Sequence, residues 1–293
     1  RPQRVQEPCR QNTSAMDGGG RVPTTKQVVC VKWGQAYGPE YVNRLYGMVS
    51  RHATPPFRVV CLTDDRSGIR AEVDCFDLPE LGVPHPQRTI GKWRKQVLWG
   101  ESLPGLEGVA LFVDLDSVIV DSIDPYFEHG SPDDVIVARN WARPLERLGQ
   151  TSVFRFRVGA NAHLLRDFRA DPQGIADKYH FEQHYVTAAV RGGVHFWPEA
   201  WTRHFRLHCL LPFPLRYFVS ARLPAGARIV TFPGGPNPDD IMQGRWNKNA
   251  PPHGSPWAHV MATFGPNRVD RNRWRHLQRY VLPVRWIEQH WRE

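Results

Sequence analysis

Asp114 and Asp116 stand one residue apart inside ALFVDLDSVIVD, residues 110–121, where apolar side chains precede, separate and follow them. A run this apolar, rich in Val, Leu and Phe, reads as a strand buried on both faces of an α/β sheet. Carboxylates at the carboxyl end of such a strand stand where open α/β sheets bind ligands. Two acids so close concentrate negative charge, and a divalent cation carrying phosphate oxygens relieves it. The plainer alternative, one aspartate capping a turn and the other solvated, leaves two acids inside an apolar run without a reason.

Positioning such a pair takes a sheet. The run 27–33, QVVCVKW, reads as a first strand, and 39–52, PEYVNRLYGMVSRH, as a helix opened by Pro39 in its first turn. FRVVCLTDD, 57–65, is a second strand ending in acids, so the unit is β-α-β with parallel strands. GKWRKQVLWGE, 91–101, reads as a short basic helix leading into the acid-bearing strand. DDVIVARNW, TSVFRFRVG and ARIVTFP read as further strands, while 161–171 and 177–190 carry helical apolar spacing. PGGPNPDD is a turn-rich loop, and beyond Gly244 the periodicity dissolves. The expected organisation is a flexible lead-in over 1–25, one α/β domain over 26–245 and a basic, aromatic extension over 246–293, with no internal repeat.

Composition narrows the partners. The 293 residues are 41% hydrophobic, which supports a sizeable core, and the formal charge of +9 favours polyanions: nucleotide phosphates, nucleic acid or an anionic membrane face. The 11 Trp suit stacking on bases or on sugar faces. A basic nucleic-acid-binding protein without enzymatic activity is one reading of these numbers, but no recognition signature accompanies it and buried acids oppose it. The 5 cysteines are scattered, without metal-binding spacing, and Cys30 and Cys61 fall in apolar strands; a reducing cytoplasm is the expected location. No run has the length of a membrane span, no signal peptide is expected, and the residues before Met16 read as leader or upstream sequence.

Seven segments, taken in order, resemble one family. VVCVKWGQAYGPEYVNRLYGMV, VVCLTDD, GKWRK, LFVDLDSVIV, TSVFRF, FEQHYVT and ARIVTFPGGPNPDD are similar to nucleotide-sugar-dependent glycosyltransferases of the GT-A fold, near the bacterial family 8 enzymes. The resemblance spans about 28–246 and implies a Rossmann-like mixed sheet flanked by helices. It also implies a nucleotide-sugar donor, UDP-linked, a glycan or lipid-linked acceptor, and Mn²⁺ or Mg²⁺ held at the Asp-x-Asp; nucleic acid is not an expected partner. Asp116 would coordinate the cation and Asp114 would meet ribose or metal. Arg94 and Lys95 would face the leaving diphosphate, unless they form a solvated basic helix face. Lys32, Trp33 and Tyr37 would line the nucleotide seat, with Gly34 and Gly38 permitting close backbone approach. Asp64 and its neighbour Asp65 would hold base or ribose, or else cap a turn. Ser152, with Thr151, would line the sugar or acceptor side. Glu182 would act as base or charge stabiliser and Gln183 would hold the anomeric region, against the alternative of a polar helix face.

One segment departs from the family pattern. In FPGGPNP, Pro233 stands where a third metal ligand, a histidine, is expected, and Asn237 replaces a lysine. Either Asp116 and phosphate hold the cation alone, or Asp239, Asp240, His253 or His259 completes it. The last stretch, 271–293, interleaves Arg with Trp, Tyr and Leu, which suits peripheral contact with an anionic membrane. It equally suits a helix packing its tryptophans on the main domain with Arg outward. DLDSVIVD also resembles the first motif of haloacid-dehalogenase-type phosphohydrolases, with Asp114 as nucleophile. That chemistry needs the motif on the first core strand, whereas a complete β-α-β unit precedes it here.

Overall fold

Alternation within the first strand decides the layering. In the computed structural model, which describes residues 25–88, 92–250, 254–266 and 269–293, strand β1 (Lys26–Lys32) sends Val28 and Cys30 into one core cluster and Val29 and Val31 into another. A strand buried on both faces needs apolar residues at successive positions, which is how QVVCVKW reads. The expected lead-in up to Thr24, with Cys9 and the triple glycine, lies outside the described residues, as does His253.

The chain continues through α1 (Pro39–His52), β2 (Phe57–Thr63), β3 (Asp74–Asp77), a 3-10 helix (Trp93–Trp99), β4 (Val109–Val113), β5 (Val118–Ile119) and α2 (Asp124–Glu128). β6 (Ile136–Arg139) and β7 (Gly149–Arg157) follow, then α3 (His163–Ala170), α4 (Pro172–Tyr179), α5 (Glu182–Ala189), β8 (His195–Phe196) and β9 (Thr202–His204). A π-helical turn (Phe205–Cys209), a 3-10 turn (Leu215–Tyr217), β10 (Ile229–Thr231) and α6 (Pro238–Met242) lead to α7 (Pro256–Ala262), α8 (Arg273–Gln278) and α9 (Arg285–His290). The main sheet has the order β3-β2-β1-β4-β7-β6-β8; a smaller sheet runs β5-β10-β9.

β1 pairs in parallel with both β2 and β4, as the short crossover requires, and β7 inserts antiparallel between β4 and β6. The carboxyl ends of β1, β2 and β4 therefore share one edge of the sheet. This is a mixed α/β architecture with helices on both faces.

Three local differences from the sequence reading have physical causes. The basic helix is a 3-10 helix whose Trp93, Lys95, Gln96, Val97, Leu98 and Trp99 are buried, not a solvated face. The helical stretch 177–190 breaks at His180, whose φ of 60° turns the chain between α4 and α5. β3, with exposed Asp74 and Asp77 at its ends, carries no apolar run to announce it. In the 246–293 extension, Val281, Val284, Ile287 and Trp291 join the same buried cluster as Tyr41, Val42 and Leu45 of α1. Trp291 meets Tyr41 edge-on at 5.0 Å, so the end of the described chain packs its tryptophan on α1.

Candidate active site

A tight turn presents the two acids. Asp114 follows the last residue of β4, and its carbonyl accepts the Ser117 N–H at 3.0 Å, closing a turn over Asp114-Leu115-Asp116-Ser117. Leu115 is buried in the core while both aspartates are half-buried, with the Asp114 side chain 24% exposed. The Asp114 N–H donates to the Ser152 carbonyl at 2.8 Å, which fixes the turn to β7.

The buried lysine of the 3-10 helix closes on this turn. Lys95 Nζ lies 2.7 Å from Asp114 Oδ1 and donates to the Thr151 carbonyl at 3.1 Å. Burial alone would lower the ammonium's pKa; the charges of Asp114 and Glu182 outweigh it and hold it above its ordinary value. The Thr151 hydroxyl donates to Glu182 Oε2 at 2.8 Å, and Glu182 Oε1 is buried without a hydrogen-bond partner among the described residues. Burial pushes the Glu182 carboxyl up to about 7, against the pull of Lys95 and Thr151. Asp116 also rises to about 7, through burial first and the Asp114 charge second. Its Oδ2 accepts from the Tyr37 hydroxyl at 2.9 Å.

Aromatic residues of α1 and its entry carry the contact further. The Tyr37 ring lies 4.7 Å from that of Tyr41, whose hydroxyl donates to Asp239 Oδ1 at 2.8 Å. Burial and the neighbouring carboxylates push both phenol groups well above their ordinary range. Asp240 is taken up elsewhere: it accepts from the Asn237 N–H at the start of α6 and pairs with Arg245 at 2.9 Å. His259 stacks on His276 at 4.0 Å and is bonded to its carbonyl. Among the described residues named as alternatives, Asp239 is the one that stands beside the tyrosines.

The remaining sequence-derived residues are placed as follows. Lys32 is buried and donates to the Asp65 carbonyl at 3.0 Å, binding the β2 loop to β1. Asp64 is exposed, and its Oδ2 accepts from Gly34 N–H at 2.9 Å, holding the loop where Gly34 adopts φ +59°. Trp33 is half-buried at the rim of one core cluster. Arg94 is half-buried, with no hydrogen bond or ion pair to a described residue, and its Nε is shielded from solvent. Ser152 is tied by its hydroxyl to Gln150 at 2.6 Å; its neighbour Thr151 is the residue that reaches both Lys95 and Glu182. Gln183 is half-buried on the first turn of α5, with its carbonyl accepting from Thr187.

Two carboxylates make a partial ligand set for a cation. Among the described residues no group of three His, Cys, Asp or Glu side chains is placed to hold a metal. The raised Asp116 carboxyl beside Asp114 is nonetheless the electrostatic situation a cation relieves, and Mg²⁺ typically uses one or two carboxylates with substrate phosphates and water. Sequence reading missed the Tyr41–Asp239 contact and gave no role to Arg139–Trp141, which begins at the last residue of β6, at the same sheet edge as Asp114. The carboxyl-end rule that found Asp114 would have found the latter.

No family model and no curated protein sequence matches the chain. Solved structures do resemble it. A galactosyltransferase, LgtC, in complex with donor and acceptor sugar analogs, superposes with a TM-score of 0.52 at 12% identity, over 72% of this chain and 88% of that one. The bifunctional glycosyltransferase WbbM, in an apo structure, also gives 0.52 at 12% identity, over 73% of this chain and 46% of its own, so this chain spans under half of WbbM. At this identity the likeness establishes the fold, which is GT-A-like.

Proposed function

We propose that this chain transfers a sugar from a UDP-linked or related nucleotide-sugar to a glycan or lipid-linked acceptor. The observation that carries the reading is the buried Lys95 joining Asp114 to Thr151, with Thr151 in turn holding Glu182, at the carboxyl edge of a GT-A-like sheet. The fold's similarity to glycosyltransferases supports it.

In such a transfer the bond from the anomeric carbon to the diphosphate breaks, leaving negative charge on the diphosphate and developing positive charge on the sugar, while an acceptor hydroxyl oxygen bonds to that carbon and gives up its proton. Asp116 and Asp114 would hold a divalent cation, whose charge would neutralise the leaving group. Arg94, whose guanidinium has no hydrogen bond or ion pair among the described residues, supplies donors for the same oxygens. Lys95 holds Asp114 in one orientation while its charge sits near the departing group. Glu182 as a carboxylate faces the positive sugar, and the Thr151 hydroxyl fixes which of its oxygens is free. Tyr37 orients Asp116 through its hydrogen bond.

Turnover of a panel of UDP-, GDP- and dTDP-sugars, with and without Mn²⁺, tests the proposal. Asp116→Asn should cut turnover about hundredfold or more, in the range seen when one charge-stabilising group is lost. Chelation should act in the same direction. Unchanged turnover in that variant refutes the mechanism, and phosphate release from a phosphomonoester, abolished by Asp114→Asn, would favour the phosphohydrolase reading.

A lipid-linked acceptor places the work at a membrane face, with the cytoplasmic side as its setting. No helix among the described residues is long and apolar enough to cross a membrane. Peripheral contact falls to the exposed aromatics of α7, α8 and their flanks, Trp257, Phe264 and Trp274, beside exposed Arg271 and Arg273.

A further inference from the structure

The ligand-bearing edge of the sheet does not end at Asp114. β7 is antiparallel to both β4 and β6, so β6 points the same way as β4, and β8 lies parallel to β6. Phe112 of β4 and Val137 of β6 both pair with Phe154 of β7, so the two strands stand about 10 Å apart at that level at ordinary strand spacing, one and two residues before their carboxyl ends. Beyond the ends of β6 and β8 lies a cavity of about 140 Å³ whose lining includes Arg139, Trp141, Trp197, Glu199, Arg203 and His208. That is close to the roughly 150 Å³ that accommodates a benzene-sized ring.

The lining combines aromatic and cationic side chains. Trp197 is buried and Trp141 half-buried, its ring edge-on to His208 at 5.9 Å. Neither Arg139 nor Arg203 donates a side-chain hydrogen bond or joins an ion pair among the described residues. Arg139 lies 4.5 Å over the Phe196 ring, and Arg203 Nε is buried without a partner. Neighbouring arginines are committed: Arg147 to the Val194 carbonyl, Arg155 to the Phe127 carbonyl and Arg228 to Asp121. Glu199, which is exposed, is the one acid among the described lining residues. The π-helical turn after β9 delivers His208 to the cavity, and such turns recur at functional sites.

We infer that this cavity binds a six-membered sugar ring carrying an anionic group, a carboxylate or a phosphate. On the glycosyltransferase reading, from which its role follows, that ring belongs to the acceptor. The tryptophans cover the ring, and the two guanidiniums present paired donors to the anion, the geometry in which arginine recognises both groups. Neutral sugars lack the group that the guanidiniums await.

Calorimetric titration of the full chain, with and without UDP and Mn²⁺, against methyl glucuronide, glucose 6-phosphate and methyl glucoside tests this. At least one anionic sugar should bind about tenfold or more tighter than methyl glucoside, the equivalent of roughly one charged hydrogen bond. The uronate and phosphate arms tell which anion is meant. Arg203→Gln and Arg139→Gln should each remove most of that preference while UDP binding is unchanged. Where an arginine variant fails to fold, the exposed Glu199→Gln carries the test: it should strengthen anionic binding several-fold and leave methyl glucoside unaffected. Equal binding of charged and neutral sugars, insensitivity to all three variants, or equally tight binding of inorganic phosphate or acetate overturns the inference. UDP binding without any preference for anionic sugars defeats this inference alone; preference for anionic sugars without binding of UDP, GDP or dTDP defeats the donor reading and leaves the cavity's assignment standing.

Discussion

Lys95 keeps its charge in a place that would ordinarily remove it, because Asp114 and Glu182 face it. The dependence runs both ways, so removing the ammonium strands a carboxylate. Lys95→Met is expected to destabilise the fold by about 3 kcal/mol, the usual cost of breaking one side of a buried pair, and to lower turnover; a thermal melt alongside a transfer assay checks both. Glu182 yields a second prediction through its carboxyl, raised to about 7 by burial. Between about pH 4, where an unfolded glutamate ionises, and that raised value, the native state holds a proton the unfolded chain lacks. Stability therefore falls as pH rises through this window, and Asp116, raised for the same first reason, adds to the fall. Glu182→Gln should flatten the decline, read as melting temperatures at pH 5 and pH 7.5; an unchanged slope would mean that the carboxyl is not held protonated. Glu182 was named from its motif, but which of Thr151 and Ser152 would reach it was not legible. Adjacent strand residues face opposite sides, so a choice between them needs the register of β7, which depends on residues far along the chain.

Elements whose stability is local were legible, and those stabilised from a distance were not. β1, α1, β2 and β4 appear where apolar runs and Pro39 put them. The basic 3-10 helix left open a solvated face or one turned to the ligand edge, because its own sequence says nothing of Thr151, 56 residues ahead, to which Lys95 donates. The short strands β8 and β9 make most of their sense as partners of β6 and β10, so no isolated pattern marks them. The junction of α4 and α5 shows the same limit. Exposed His180 takes φ 60°, a conformation that costs a side-chain-bearing residue about 1 kcal/mol and glycine almost nothing. His180→Gly should thus raise stability by somewhat under about 1 kcal/mol, since glycine returns part of the gain as unfolded-chain entropy. A melting temperature lower than that of the parent chain would show that the imidazole does more for the junction than its backbone strain costs.

At the scale of the molecule, the question is where a charge of +9 and the uncovered aromatic rings are presented. The Arg and Trp pattern of 271–293 satisfied two readings because both require the same residues; only their position against the core separates them. The final helix is committed to that core: Ile287 and Trp291 are buried, and Arg44 lies 4.1 Å over the Trp291 ring. The preceding surface is not. Trp257 and Phe264 are each 71% exposed and Trp274 is 55% exposed. Arg273 reaches over Phe264 at 5.7 Å, which brings a cation and an exposed aromatic ring together. Rings of this type settle at the polar boundary of a bilayer, and nearby arginines add about 1 kcal/mol each toward an anionic surface. Sedimentation with vesicles should therefore show binding to phosphatidylserine-containing vesicles, weakening as salt is raised, and little binding to phosphatidylcholine alone. Changing Trp257, Phe264 and Trp274 together to serine should abolish that binding and leave the melting temperature and UDP affinity near those of the parent chain, because none of the three is buried. Changing Trp291 should instead lower the melting temperature. If the triple variant sediments with anionic vesicles as well as the parent does, the aromatic patch is not the contact, and attraction by overall charge alone accounts for the binding.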